Sequence, residues 1–216
     1  MQNTTSYLTS ETPSDSASDA ATIQFVIQSM LAWVRTAGVV QVKSVSNAGG
    51  VSPIGYVSMQ PLVGQVDGQG VLHPHGLIYN VPYLRVQGGA NAVILDPQVG
   101  DIGIAVFCDR DISAVKSTQS AAQPGSQRRH DMSDAVYLYS VIGAAPTQYI
   151  QFNADGISVI SPTAVTIQAP QINSKGTWNH DGTITSTGDM TAAGISLDNH
   201  MHGGVQAGGS DTGPPT

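Results

Sequence analysis

Apolar and polar residues alternate in three different ways along the chain, and each pattern predicts a different structure. Residues 1 to about 17 are polar and rich in Ser and Thr, which predicts a poorly ordered leader. From Asp19 the apolar residues follow helical spacing until Gly38, a stop signal, and their stripe comprises Ile23, Val26, Ile27, Met30, Leu31 and Val34. We expect one amphipathic helix, packed either on its own domain or on a partner subunit.

The second pattern, from Val39 to about Ile142, is typical of β-structure. Short apolar segments are separated by loops rich in Gly or containing Pro, and the predicted strands are Val39–Val45, Tyr56–Val63, Val81–Val86, Ala92–Leu95 and Ile102–Phe107. The last is continuously apolar, so we expect it to be central. Residues 113–133 are polar and predict a loop, and Ala135–Tyr139 predicts another strand. Five short strands before this loop favour a small closed barrel of the OB type.

The third pattern begins after Pro146 and continues to Leu197. Apolar residues recur in short pulses, roughly every six to eight residues, and most pulses are separated by turn signals such as Asp155-Gly156 and Asp181-Gly182. This spacing is typical of a β-solenoid or an intertwined β-prism. One such chain has too few large apolar side chains to bury a core alone. Three chains wrapped around a shared axis would bury them, so we expect a homotrimer.

Composition supports a β-rich protein and argues against nucleic-acid binding. Charged residues make up 11% of the chain, against about 25% in an ordinary globular protein, and Glu11 is the only glutamate. The formal net charge is −7, whereas nucleic-acid binding requires a basic face. The first fifteen residues resemble no signal peptide, and the apolar stretch from Phe25 to Val34 is too short to span a bilayer. We therefore expect a soluble protein that is made in the cytoplasm.

Two histidines near the C-terminus, His200 and His202, are candidate metal ligands. On an extended backbone, side chains two residues apart point to the same face. Three copies would offer six imidazole nitrogens, an octahedral set that suits a first-row metal such as iron or nickel. The glycine-rich segment from Gly203 to Gly213 would let three chains approach the axis closely. The alternative is an exposed pair of histidines in a frayed tail.

A second His-x-His sequence, His73-Pro74-His75, resembles the first motif of a cupin metalloenzyme. A cupin site also needs a carboxylate ligand, and residues 76–80 contain none, so we expect His73 and His75 to be loop residues. The alternative is a cupin-like enzyme that uses both histidines.

Charged residues elsewhere predict ion pairs rather than catalysis. The Arg128–Asp131 cluster predicts a surface loop with local ion pairing. Asp109 and Asp111 flank Arg110, and they could pair with it or with a neighbouring chain. There is no Gly-x-Ser-x-Gly motif, and no Ser/His/Asp order suggests a catalytic triad. We therefore expect no enzymatic activity.

Beyond about residue 38 the chain resembles the central spike, or membrane-puncturing, protein of contractile-tailed bacteriophages. The motifs follow the family's order: Val81-Pro82-Tyr83, residues 96–103 (DPQVGDIG), residues 107–112 (FCDRDI), residues 124–135 (PGSQRRHDMSDA), residues 199–206 (NHMHGGVQ) and residues 212–215 (TGPP). The combination of barrel motifs with a C-terminal His-x-His is the specific part of this resemblance.

The resemblance implies an all-β homotrimer with four segments. These are a leader and helix over residues 1–38, an OB-fold barrel over 39–145, a trimeric β-helix stalk over 146–197 and a metal-binding apex over 198–216. It also implies one iron ion per trimer, held by His200 and His202 of all three chains, and no further cofactor. Ala145-Pro146 leads directly from barrel to stalk, which leaves no room for the cell-wall-cleaving domain that some spike proteins carry.

The resemblance further implies a place in the virion and a mode of action. The barrels would attach the spike to the hub of the tail tube, at the tip of the baseplate. Sheath contraction would then drive the spike through the host outer membrane. Spikes of tailocins and of related secretion machines share this architecture. An adhesin that binds surface glycans is a further alternative, although the aromatic residues Phe152 and Trp178 fall at expected core positions of the stalk.

Overall fold

The computed structural model describes residues 13–47, 50–67, 69–201, 204 and 208, and this part of the chain is mostly β. The helices are α1 (Asp19–Ala32) and α2 (Ser113–Thr118), with a 3₁₀ turn at Met132–Asp134. The strands are β1 (Ala37–Val45), β2 (Tyr56–Pro61), β3 (Gln65–Val66), β4 (Leu72–His73), β5 (Ile78–Pro82), β6 (Val86–Gly88), β7 (Asn91–Val93), β8 (Ile102–Phe107), β9 (Ala135–Ile142), β10 (Tyr149–Asn153), β11 (Gly156–Ile160), β12 (Thr191–Ala192) and β13 (Ile195–Ser196). Residue contacts divide the chain into two units, with the boundary between Pro162 and Thr163.

The expected N-terminal helix is confirmed, but it is shorter than its apolar pattern. Ser18 caps α1, because its hydroxyl oxygen accepts a hydrogen bond from the Ala21 backbone N–H at 3.2 Å. The helix ends at Ala32, and the expected stop Gly38 lies inside β1. None of the α1 residues is buried in the single chain. The alternative in which this helix is buried against its own domain is therefore wrong.

None of the described helices is long and apolar enough to cross a bilayer.

Five antiparallel strands form the main sheet of the first unit, in the order β5-β2-β1-β8-β9. The middle strand is β1, whereas the apolar β8, which we expected to be central, lies next to it. Beyond the end of β5, Tyr83 forms a parallel bridge with Tyr137 of β9. The Leu84 backbone N–H also donates to the Tyr137 carbonyl oxygen at 2.8 Å. The two outer strands of the sheet are thus in hydrogen-bonding contact at this point.

The core of the first unit lies on one face of this sheet. Buried side chains alternate with less buried ones along β1, β2, β8 and β9, as expected for a sheet with one covered face. On β5 two exposed residues separate the buried Ile78 from the buried Val81. The core comprises Val40 and Val42 of β1, Val57 and Met59 of β2, Ile78 and Val81 of β5, Tyr83, Ala105 of β8, and Ala135 and Tyr137 of β9.

The expected strand Val81–Val86 is wrong, and a buried ion pair explains why the chain leaves the sheet within this segment. β5 ends at Pro82, and Val86 belongs to the separate β6–β7 hairpin. Between them Arg85, only 7% exposed, places its Nη2 atom 2.7 Å from Asp96 Oδ1. The Tyr83 hydroxyl donates to the same carboxylate oxygen at 2.8 Å. Because this buried charge must meet its partner, the backbone leaves the sheet here.

Three short features were not expected from the sequence. The polar segment 113–133, predicted as a loop, contains α2 and the start of the 3₁₀ turn. The third feature, the β3–β4 hairpin, follows β2 and precedes β5 in the chain, and neither of its strands has a buried residue. All three are too short for their period to be recognised in the sequence.

After the main sheet, β10 and β11 form a hairpin around the expected Asp155-Gly156 turn. Gly156 has φ 132°, a conformation that favours glycine. Large apolar side chains of this hairpin are exposed in the single chain, and Phe152 reaches 76%.

The second unit, from Thr163 onward, has few backbone hydrogen bonds of its own. In its described residues the strands are β12 and β13, which pair only with each other. The large apolar side chains among these described residues are all exposed in the single chain, and they are Val165, Ile167, Ile172, Trp178, Ile184, Met190, Ile195, Leu197 and Met201. A segment that exposes so many large apolar side chains buries little apolar surface within the single chain.

Candidate metal centre at the C-terminal hairpin

The β12–β13 hairpin determines the direction of the chain just before the histidine pair. Thr191 pairs with Ser196 and Ala192 with Ile195, so the connecting turn has two residues. These residues, Ala193 and Gly194, have φ 50° and 83°. Positive φ at both positions is typical of a type I′ turn, which matches the twist of a tight hairpin.

Hydrogen bonds extend this hairpin toward His200. The Leu197 backbone N–H donates to the Met190 carbonyl oxygen at 2.9 Å. The Asp198 backbone N–H donates to Asp189 Oδ1 at 3.2 Å, and that of Asn199 donates to Ser196 Oγ at 2.9 Å. Hydrogen bonds from the Ser196 side chain and from the Asp198 backbone N–H lower the pKa of the Asp189 carboxyl. Residues 196–200 therefore form a turn tied to the start of the hairpin.

The geometry of His200 fits a metal ligand. Its Nδ1 atom lies 3.1 Å from the carbonyl oxygens of both Ser196 and Leu197. A carbonyl oxygen only accepts hydrogen bonds, so Nδ1 is the donor in both contacts. Metal-binding histidines commonly use one ring nitrogen for the metal and donate from the other to a carbonyl group.

The second member of the pair, His202, lies outside the described residues, so the geometry of the pair is not described. Within the described ranges of one chain, no three His, Cys, Asp or Glu side chains form a metal-binding group.

The structure places the other His-x-His sequence in a hairpin. His73 lies on β4 rather than in a loop, and its Nε2 atom is 2.9 Å from Asp67 Oδ2. The hydrogen bond with His73, followed by those from the backbone N–H groups of Val71 and Gln69, lowers the pKa of the Asp67 carboxyl. His75 lies in the following loop, where its carbonyl oxygen accepts from Gln60 Nε2 at 3.0 Å. The two histidines therefore have separate surroundings.

The expected ion pairing of the Arg128 loop is confirmed, although its partner carboxylates are buried. Arg128 Nε lies 2.6 Å from Asp134 Oδ2, and Arg128 Nη2 lies 2.9 Å from Asp111 Oδ1. Asp134 also accepts a hydrogen bond from the Ile112 backbone N–H at 3.0 Å. Asp111 thus pairs with Arg128 and not with the adjacent Arg110. This cluster joins the loop to the end of β8, which is a structural role.

Comparison with known protein families identifies the C-terminal segment. Residues 194–216 match the family model of the GpV Apex motif. The chain ends in the tip motif of phage central spike proteins. The GpV Apex motif begins at Gly194, in the β12–β13 turn, and includes both His200 and His202. No curated protein matches the chain.

The GpV Apex motif confirms the resemblance to phage central spikes. It indicates a structural spike protein, a component of a phage tail or of a related machine. It covers a short C-terminal part of the chain, residues 194–216.

Asp189 and Ser196, which tie the turn before His200, were not recognised in the sequence. The Ala193-Gly194 pair between two apolar pulses was a usable signal for a two-residue hairpin. The hydrogen bonds of Asp189 had no sequence signal, because an isolated aspartate in a turn-rich segment has many possible partners.

Proposed function

We propose that this protein is the structural spike at the tip of a contractile phage tail and that it pierces the host outer membrane mechanically when the sheath contracts. The observation that carries this proposal is the GpV Apex motif at residues 194–216. A piercing device needs a rigid shaft and a tip that does not fray.

A homotrimer is supported by the exposed apolar side chains of the second unit. Trp178 is 78% exposed and Ile167 71% exposed in the single chain, although both belong to the apolar pulses of the predicted stalk. Burial of apolar surface is the main favourable term in folding, and this segment achieves little of it alone. Three intertwined copies forming a β-helix would bury these side chains and leave no free sheet edge.

An iron site at the apex is supported by the donor set and by the tautomer of His200. His200 and His202 of three chains would supply six neutral imidazole nitrogens, a set suited to a first-row metal in octahedral geometry. The hydrogen bonds from His200 Nδ1 to backbone carbonyl oxygens direct its Nε2 to this role. A bound ion would join three chain termini that are otherwise the weakest part of the fibre.

An OB-type barrel in the first unit is supported by the strand order β5-β2-β1-β8-β9 and by the bridge between Tyr83 and Tyr137. Closure predicts slow hydrogen exchange of the Leu84 amide, which donates to the Tyr137 carbonyl oxygen. Rapid exchange of this amide, with slow exchange elsewhere in the sheet, would contradict a closed barrel.

We further propose that the barrels attach the spike to the hub of the tail tube.

The decisive experiment measures mass and metal content on the same purified protein. We expect a trimer with about one iron ion per three chains. The variants His200→Ala and His202→Ala should lose the metal, whereas His180→Ala, a histidine of the same unit, should retain it. A monomer without metal would overturn the proposed spike, and full metal occupancy in His200→Ala or His202→Ala would overturn the tip site.

The mechanical role is tested in the assembled particle. Virions carrying both His200→Ala and His202→Ala should assemble and adsorb normally but deliver DNA less efficiently than wild type. Unchanged delivery would show that the iron site at the apex is not needed for penetration. Saturable binding of the wild-type protein to host polysaccharide would instead favour an adhesin.

A further inference from the structure

The turn that carries His200 is tied to the hairpin through one carboxylate. Asp189 Oδ1 accepts the Asp198 backbone N–H at 3.2 Å, and the same side chain is hydrogen-bonded to Ser196. Ser196 Oγ in turn accepts the Asn199 backbone N–H at 2.9 Å. Asp189 thus contacts Ser196, at the end of β13, and Asp198, two residues before His200.

The same segment provides the two carbonyl oxygens that orient the His200 ring. Both Ser196 and Leu197 accept from His200 Nδ1 at 3.1 Å. If residues 196–198 shifted, these acceptors would move and the imidazole would lose its fixed tautomer and orientation. Groups that orient a metal ligand affect metal affinity although they do not touch the metal.

We propose that Asp189 is a positioning residue for the metal ligand His200, because it holds the backbone whose carbonyl groups orient that imidazole. The inference rests on the proposed metal site at the apex and adds to it a residue that lies before the GpV Apex motif, which begins at residue 194. Ser196 is the link between the Asp189 carboxylate and the turn.

The first test measures the rate of iron release from the full-length trimer to an excess of a strong chelator. Asp189→Ala should release the metal about ten-fold faster than wild type or more. Asp189→Asn should be intermediate, since its amide oxygen still accepts one hydrogen bond. The matched control is Asp181→Ala, which removes the same side chain from a different turn of the same unit and should release iron at the wild-type rate.

The second test separates positioning from general stability. The thermal midpoint of Asp189→Ala should fall below that of wild type in the metal-loaded proteins but match it after both have been stripped of metal. Equal losses with and without metal would show a purely structural role and overturn the proposal.

The third test uses the shared link through Ser196. The Asp189→Ala/Ser196→Ala double variant should release iron no faster than the faster single variant, because both substitutions break the same connection. Multiplicative effects of the two substitutions would overturn the proposed link, as would a wild-type release rate in Asp189→Ala. A wild-type protein that binds no metal would overturn the proposed apex site itself.

Discussion

At the scale of single residues, two networks of buried charges stabilise the loops around the main sheet. Arg85 pairs with Asp96, and Arg128 pairs with Asp134 and Asp111. Breaking such a pair leaves an uncompensated buried charge, so each network favours one loop conformation over alternatives. The sequence predicted local pairing for Arg128 but not for Arg85, whose partner is brought near only by the fold.

The Asp111 site predicts a stability change in acid. Hydrogen bonds from the Ser113 side chain and backbone, and then from Ser126, lower the pKa of the Asp111 carboxyl to about 2. The unfolded value is about 3.9, so the folded state binds fewer protons between these values. The resulting stabilisation is present above about pH 4 and is lost as the pH falls through about 2.

Urea denaturation of the full chain at several pH values measures this effect. Asp111→Asn should remove part of the fall in the unfolding midpoint between about pH 4 and 2. The exposed neighbour Asp109 provides the control Asp109→Asn, which should retain the wild-type pH dependence. An unchanged pH dependence in Asp111→Asn would contradict the assignment.

At the scale of elements, the contact between β8 and β9 depends on glycine at position 103, which has no side chain to separate the strands. A Cβ atom at Gly103 would lie 2.7 Å from Tyr137 Cε2 and would also overlap the Tyr139 carbonyl oxygen. Because the fully buried Tyr137 cannot move away, Gly103→Ala should destabilise the sheet by about 1 to 3 kcal/mol.

Gly38 of β1 provides the matched control for this substitution. A Cβ atom there would lie 3.5 Å from Phe107 Cε2, an ordinary contact. Gly38→Ala should therefore be neutral or stabilising by up to about 1 kcal/mol. Denaturant unfolding of both variants measures the difference, and equal stability of the two would contradict the packing argument.

The apolar surface of the helix α1 is exposed in the single chain. Ile27 is 51% exposed, and with Ile23, Met30 and Val34 it follows the alternating spacing of three and four residues that is typical of helix association. The alternative from the sequence, packing on a partner subunit, stays a prediction. Ile27→Asp should then lower the thermal midpoint of the trimer more than Gln28→Asp, which puts the same charge on the neighbouring position. Equal midpoints would contradict packing of this face between copies.

At the scale of the whole molecule, the two units differ in how they bury apolar surface. Among its described residues, the first unit has its own core of ten buried hydrophobic residues, on the main sheet and at Tyr83. The second leaves its apolar side chains exposed and has few hydrogen-bonded strands among its described residues. Assembly is therefore expected to stabilise the second unit much more than the first.

Trp178 offers a direct measurement of that assembly. The chain has two tryptophans, so the variant Trp33→Phe leaves Trp178 as the single fluorescent indole. In the proposed trimer Trp178 should be protected from acrylamide quenching and should become accessible on unfolding. Quenching in the native protein as strong as that of free tryptophan would contradict a buried position in the stalk.

The sequence predicted the elements with long periodic patterns better than it predicted the short ones. The helix from Asp19 and the strand Ile102–Phe107 were expected and are confirmed, because several apolar residues in register define each of them. The expected strand through Arg85 was wrong, because the Arg85 guanidinium forms an ion pair with Asp96, a residue outside the predicted strand. At the candidate site, His200 was recognised by residue type, whereas Asp189 was not.

By itself, the sequence determined the β-rich character of the chain, the apolar pulses of its C-terminal part and the histidine pair of the apex. These properties follow from residue type and local period, which do not depend on distant contacts. Only the tertiary structure decided that Tyr83 meets Tyr137, that Arg128 meets Asp111 and Asp134, and that Asp189 holds the turn before His200. Such pairings depend on how the backbone folds back on itself, so no local pattern specifies them.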